Sequence, residues 1–179
     1  MLTMRTRRIE NEWLSLEALQ RLNPERMRFA GAGELVWVEV DGFSALCRAP
    51  VAEESMSEAV ASRHRVRIAF PRYYPTMPVE VYLDAPVFHP NVNPDNGFVC
   101  LWTRHRVQTT LEQTLAQLQR VLAWALLNVD ADHVVQPDAL DWYARPGVRD
   151  QLPLHFVPMT PVQSRAWDFG LAPARRRLS

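Results

Sequence analysis

The chain has 179 residues, 47% of them hydrophobic, which suits one folded domain with a real core and a tail. Twenty basic and twenty acidic residues cancel to zero formal charge, which argues against nucleic acid or an anionic membrane as the main partner. No apolar run is long enough to cross a bilayer, MLTMRTRR opens no secretory signal, and the two cysteines form neither a disulfide framework nor a zinc site; a cytoplasmic protein with reduced cysteines is expected.

The spacing predicts an amphipathic helix from Arg7 to Leu22, with Ile9, Trp13, Leu16 and Gln20 on one stripe and Leu19 beside it, ended by Asn23-Pro24. Glu34 to Val40 reads as a strand, Asp41-Gly42 as a two-residue hairpin signal, and Phe43 to Cys47 as the returning strand. Positions 49 to 62 carry small and acidic residues without a period and read as a mobile connection. From His64 to Phe70 the pattern alternates, Val66, Ile68 and Phe70 inward and Arg65 and Arg67 outward. Pro71, Pro75 and Pro78 stop that strand, and Val79 to Leu83 completes an expected four-stranded antiparallel meander.

Thr109 and Glu112 have capping-box spacing ahead of Leu111, Leu115, Leu118, Leu122 and Leu126, a long helix expected to cross the sheet. After the acidic loop Asn128 to Gln136, a shorter helix is expected from Pro137, carrying Leu140 and Tyr143. Beyond Pro146 the chain is proline-studded; Thr160-Pro161-Val162-Gln163 reads as a helix start running to Phe169, with a loose end from Ala174 to Ser179. The class is α+β.

The stretch Pro86 to Trp102, PVFHPNVNPDNGFVCLW, sets Cys100 in an extended run beyond a polar turn, where a thiol can act as a nucleophile that stores an acyl group as a thioester. The competing reading is a small core side chain sharing a face with Phe98 and Trp102. Cys47, alternating with Phe43 and Ala45, reads as core. Every basic residue except histidine is arginine. Codon bias explains this; a carrier of activated acyl groups would also gain from a surface without acylable lysines, because guanidinium stays protonated.

Arg7-Arg8-Ile9 with Glu12, Phe70-Pro71, Tyr74-Pro75, Pro78, His89-Pro90-Asn91, Asn96-Gly97, Cys100-Leu101 and the leucine helix follow one another in an order that resembles the ubiquitin-conjugating enzyme family, from about Arg7 to Tyr143. The departures are an Asn91-to-Cys100 interval one residue longer than usual, Val79 where a second proline is common, and Arg106-Val107-Gln108 in place of Trp-Ser-Pro.

The resemblance implies a UBC-like catalytic domain over residues 1–145, with an N-terminal helix, four-stranded meander, active-site segment, crossing helix and C-terminal helices, followed by an extension over 146–179. It implies that Cys100 takes a ubiquitin-like modifier from an activating enzyme and passes it to an amine of a protein substrate, with or without a separate ligase. Asn91 then donates to the developing oxyanion or holds the loop, His89 fixes the turn, and Asp132, preferred over Asp130, positions the incoming lysine. Arg5, Arg7 and Arg8 resemble the basic first helix that meets the activating enzyme. The implied setting is a divergent bacterial member, and the role it suggests is antiphage defence. Two other functions compete: a non-catalytic module that binds a ubiquitin-like protein, and a cysteine hydrolase pairing Cys100 with His105 or His133.

Overall fold

The computed structural model describes residues 3–51, 55–130 and 134–162. Helix α1 (Met4–Leu22) is followed by strands β1 (Met27–Ala32), β2 (Leu35–Val40), β3 (Ala45–Leu46), β4 (Val60–Ala61), β5 (His64–Ala69) and β6 (Glu80–Leu83), then by helices α2 (Leu111–Leu122) and α3 (Pro137–Tyr143). Strands β1, β2, β5 and β6 form one antiparallel sheet in that spatial order, and β3 pairs with β4 in a second small sheet. The class is α+β, with the expected N-terminal helix and four-stranded meander.

The meander differs from the sequence reading at its first strand. Its first hairpin turns at Gly33-Glu34, not at Asp41-Gly42, and β1 rather than residues 43–47 is the partner of β2. Gly33 takes φ 58 between the paired residues Ala32 and Leu35, as the first central position of a tight hairpin requires. Asp41 instead closes β2: its Oδ1 accepts the Gly42 N–H at 2.7 Å and its Oδ2 holds Arg63 at 2.8 Å. The chain leaves the sheet there, and only Ala45 and Leu46 of the following run become a strand. The connection expected to be mobile contains a 3₁₀ turn at Met56–Ala59 and then β4.

The inner sheet face is aliphatic. Val36, Val38 and Val40 of β2, Val66 and Ile68 of β5, and Val81 and Leu83 of β6 are buried, with Val66 opposite both Val38 and Leu83. Ile9, Leu16 and Leu19 of α1 and Leu111, Leu115, Leu118 and Leu122 of α2 complete the core. Burial of each such side chain stabilises by about 1.5–3 kcal/mol, so the core outweighs any single polar contact.

Two polar devices fix α2 at its N-terminus. Thr110, not Thr109, is the N-cap: its hydroxyl accepts the Gln113 N–H and its own N–H donates to the Gln113 side chain, a capping box with Gln113 rather than Glu112, one residue later than expected. From α1, the buried Glu12 accepts the Leu111 N–H at 2.7 Å on Oε2, while its Oε1 meets Arg8 at 2.9 Å and the Tyr74 hydroxyl at 3.0 Å. A carboxylate at a helix N-terminus satisfies an orphan donor and opposes the positive end of the dipole.

The other end of α2 closes with Trp124 in the left-handed region at φ 61. Its N–H bonds the Val121 carbonyl at 2.8 Å and the Ala125 N–H bonds the Arg120 carbonyl at 2.9 Å, a Schellman arrangement usually given to glycine. The indole explains the exception: it is buried against His89, Trp142 and Tyr143 at centroid distances of 4.6, 5.5 and 5.6 Å. α3 supplies this second cluster, turned slightly from expectation: Ala139 and Trp142 are buried, while Leu140 and Tyr143 are half-buried. Residues 152–162 then run without helix across the body, with Met159 and Val162 packed on the core. The helix expected to reach Phe169 falls mostly outside the described residues.

Candidate active site

Residues 91–100 form a narrow excursion stitched beside β6. Val92 bridges Val99 and Tyr82 of β6 bridges Phe98, each antiparallel. The tip is built from turn chemistry: Asn93 Oδ1 accepts the Asp95 N–H at 2.8 Å and Asn96 Oδ1 accepts the Phe98 N–H at 2.9 Å. Gly97, at φ 72, lies so close to β6 that an added Cβ would sit 2.1 Å from the Leu83 carbonyl oxygen. Only glycine fits, which accounts for the Asn96-Gly97 pair in physical terms.

The base is closed twice by Asn91 and Cys100. The Cys100 N–H donates to the Asn91 carbonyl at 2.8 Å, and Asn91 Nδ2 donates back to the Cys100 carbonyl at 2.8 Å. Asn91 Oδ1 accepts the Asn128 N–H at 2.9 Å, tying the excursion to the segment leaving α2. The structure thus brings together two of the three expected site residues. Asp132 lies outside the described residues, as does His133; Asp130 is exposed beyond Asn128.

His89 sits beneath this base and is fully buried. Its Nδ1 accepts the Asn91 N–H at 3.0 Å, which places the ring proton on Nε2. Burial pushes the imidazole down to about 3, so the ring is neutral at physiological pH. The Gln136 side chain accepts the His89 N–H, and the Pro90 carbonyl accepts the Val135 N–H, both at 2.9 Å. His89 therefore shapes the turn, as its sequence context implied.

Cys100 is half-buried and lines a cleft of about 210 Å³ with Asn91, Trp102, Arg104, Gln117 and Asn128. Burial pushes the thiol above its ordinary range, partly offset by the Trp102 backbone N–H. Among the described residues no histidine lines this cleft; His105 instead bonds the Pro75 carbonyl through Nε2 at 2.8 Å.

Several supporting groups escaped sequence reasoning. Gln117 Nε2 holds the Leu101 carbonyl at 3.2 Å, Asn128 supplies the second anchor of Asn91, and Trp124 backs His89. Only the one-turn spacing of Gln113 and Gln117 on the polar side of α2 hinted at the first. Cys47, expected in the core, is half-buried and lines a separate cleft of about 530 Å³ with the Asn93 to Gly97 turn; burial raises its thiol too.

The basic first helix also resolves into distinct roles. Arg5 pairs with Glu34 and donates to the Phe70 and Pro71 carbonyls at 3.2 and 3.0 Å. Arg8 pairs with Glu12 and reaches the Gln108 and Thr109 carbonyls at 3.2 and 3.1 Å. Arg7 alone of the three is exposed, and its side chain makes no hydrogen bond or ion pair with another described residue.

A sequence profile described as "Ubiquitin-conjugating enzyme" matches residues 60–143. No curated protein sequence matches the chain. Among solved structures, a protein from Trypanosoma cruzi provisionally named a ubiquitin-conjugating enzyme aligns with 18% identity and a TM-score of 0.55, over 81% of this chain and 93% of its own. One from Plasmodium yoelii, provisionally named likewise, aligns with 13% identity and a TM-score of 0.54, over 82% of this chain and 87% of its own. At such identities the likeness is one of fold, and the profile match falls on β4, β5, β6, the Cys100 excursion, α2 and α3: the chain has a UBC-like fold, and its residues 60–143 are similar in sequence to ubiquitin-conjugating enzymes.

Proposed function

We propose that this protein is a carrier and transferase that accepts a ubiquitin-like modifier from an activating enzyme as a thioester on Cys100 and passes it to an acceptor amine. The observation that carries the reading is the half-buried Cys100 thiol lining a cleft whose base is locked by Asn91. Loading begins when the Cys100 thiol loses its proton and the thiolate attacks the carbonyl carbon of the incoming thioester. A new carbon–sulfur bond forms, the old one breaks, and the activating enzyme's thiolate leaves and takes a proton; nothing is oxidised. Discharge repeats the exchange with nitrogen: a neutral amine attacks, the amide forms, the amine nitrogen gives up a proton, and the Cys100 thiolate departs.

Asn91 positions the reacting residue through its carbonyl, and its second Nδ2 hydrogen is proposed to serve the oxyanion of the discharge step. Asp132 is proposed to orient the incoming lysine. The cytoplasmic, bacterial setting and a role in antiphage defence belong to this reading; neighbouring genes for a modifier, an activating enzyme and a deconjugating protease would accompany it.

The test mixes the full chain with modifier, activating enzyme and ATP and resolves the products on a non-reducing gel. A thiol-sensitive adduct is expected, converted by Cys100→Ser to a thiol-resistant oxyester and abolished by Cys100→Ala. Complex formation without an adduct would instead identify a non-catalytic binding module.

A further inference from the structure

Next to the Cys100 cleft runs a groove of about 370 Å³ bearing three exposed arginines, Arg104, Arg106 and Arg120, around Trp102, with Gln113 and Gln117 between them. Several arginines elsewhere are engaged: Arg5, Arg8, Arg63 and Arg65 pair with carboxylates, Arg26 binds carbonyls, and Arg67 lies over the Tyr82 ring at 3.9 Å. The three groove arginines have no ion pair among the described residues, and no acid lines the groove. Like charges converging without counter-ions repel one another, and a bound polyanion relieves that repulsion. Carboxylates suit the site because guanidinium matches them two hydrogen bonds at a time.

The groove is continuous with the candidate active site: Trp102, Arg104 and Gln117 line both it and the Cys100 cleft. An attacking amine must come within about 3–3.5 Å of a carbonyl carbon on Cys100, so the residues flanking that amine fall on the first surface beyond the cleft. The modifier, by contrast, is joined through an extended terminus that can hold its body several residues away. The cations are arginine throughout, giving positive charge beside an activated ester without an amine to be acylated. We propose that this groove binds a run of carboxylates in the acceptor protein and so presents an adjacent amine to Cys100, an inference that rests on Cys100 being the acyl carrier.

The test uses the full chain and two fluorescein-labelled peptides, one with a lysine flanked by aspartate and glutamate, the other with asparagine and glutamine in their place. By fluorescence anisotropy the acidic peptide is expected to bind about tenfold more tightly and to weaken as salt rises. Arg106→Glu with Arg120→Glu should abolish the preference, while Arg106→Lys with Arg120→Lys retains it and controls for folding. In a second arm Cys100 is loaded from the N-acetylglycyl thioester of mercaptoethanesulfonate; its thiolate takes the acyl group and expels the small thiolate. Transfer to the acidic peptide's lysine should run about tenfold faster than to the neutral one, and the advantage should vanish in the double Glu variant. Equal binding of both peptides, a preference surviving the double reversal, or tight binding without faster transfer overturns the proposal and leaves the carrier reading intact. Failure of Cys100 to take the acyl group sinks the carrier reading, and the proposal with it.

Discussion

The Asn91 carboxamide spans two backbones, donating from Nδ2 to the Cys100 carbonyl at 2.8 Å and accepting the Asn128 N–H on Oδ1 at 2.9 Å. Asn91→Ala leaves both backbone groups without partners in a buried site, which costs about 1–3 kcal/mol. It should lower the melting temperature and slow loading as well as discharge. Asn91→Asp keeps the acceptor for Asn128 but sets a carboxylate against the Cys100 carbonyl, and should behave as badly. Normal stability and normal loading with slow discharge in Asn91→Ala would assign the side chain to the oxyanion alone.

Because burial raises the Cys100 thiol, the thiolate is a minor species at neutral pH. Iodoacetamide alkylation of Cys100, followed by peptide mass spectrometry in a Cys47→Ala background, should rise about tenfold per pH unit from neutrality until it levels above the ordinary cysteine range near about 8.5. Loading by the activating enzyme should share that rise. A rate already flat at neutral pH would mean a thiolate held by a partner.

The neutral, buried His89 makes stability depend on pH with a defined sign. Its folded value of about 3 lies below an unfolded value near 6.5, so the unfolded chain binds more protons between them. The stabilisation is complete above about 6.5 and is lost progressively as pH falls toward 3; by pH 4.5 the loss from this ring is on the order of 2–3 kcal/mol. His64, also lowered by burial, adds in the same direction. Urea midpoints measured down the pH scale should therefore flatten in His89→Asn relative to the native chain. Trp124→Ala, which empties the space behind His89, should cost about 3–5 kcal/mol at any pH.

What could be read from the sequence were features carried by local periodicity and by contiguous motifs. The α2 leucines, the alternation of β5 and the run from His89 to Leu101 each lie within a short window. The first hairpin was missed because Asp41-Gly42 has the better turn composition, while Arg28, Ala30 and Gly31 dilute the strand pattern of β1. Glu12 and Trp124 were illegible for another reason: their partners, Leu111 and His89, are far away in sequence, so burial and pairing emerge only in three dimensions. Within the site, Cys100 and Asn91 came from a motif, and their shared dependence on Asn128 did not.

The first helix separates docking from folding. Arg8 and Glu12 form a pair whose carboxylate is buried, so Arg8→Glu leaves like charges together and should cost about 3–5 kcal/mol. Arg7 is exposed, and Arg7→Glu should leave the melting temperature unchanged. If the helix meets the activating enzyme, Arg7→Glu slows loading several-fold at low salt and the defect fades as salt rises. An unchanged loading rate for Arg7→Glu would remove the docking role, whereas a joint reversal with Arg8 would confuse it with unfolding.

Residues 152–162 hold the body together by polar bonds to the α1–β1 connection and to α2. Arg26 donates to the Val157 and Pro158 carbonyls at 2.7 and 3.0 Å, Asn23 exchanges two bonds with Thr160, and Glu112 of α2 accepts the Val162 N–H at 2.7 Å. Gln119, buried on α2, donates from Nε2 to the Gly42 carbonyl at 3.0 Å and the Val157 carbonyl at 2.9 Å, and so joins helix, β2 exit and strap at one atom. With each bond worth about 0.5–1.5 kcal/mol net, a chain ending at Gln151 should be at least about 3 kcal/mol less stable than one ending at Val162, seen as a lower urea midpoint. Gln119→Leu should reproduce about 1–3 kcal/mol of that loss by removing both of its bonds. Because α2 also holds the Leu101 carbonyl through Gln117, loosening the strap should reach the candidate active site, appearing as faster alkylation of Cys100 in the shorter chain. Equal midpoints and equal alkylation for the two chains would show that the strap merely rests on a body already complete.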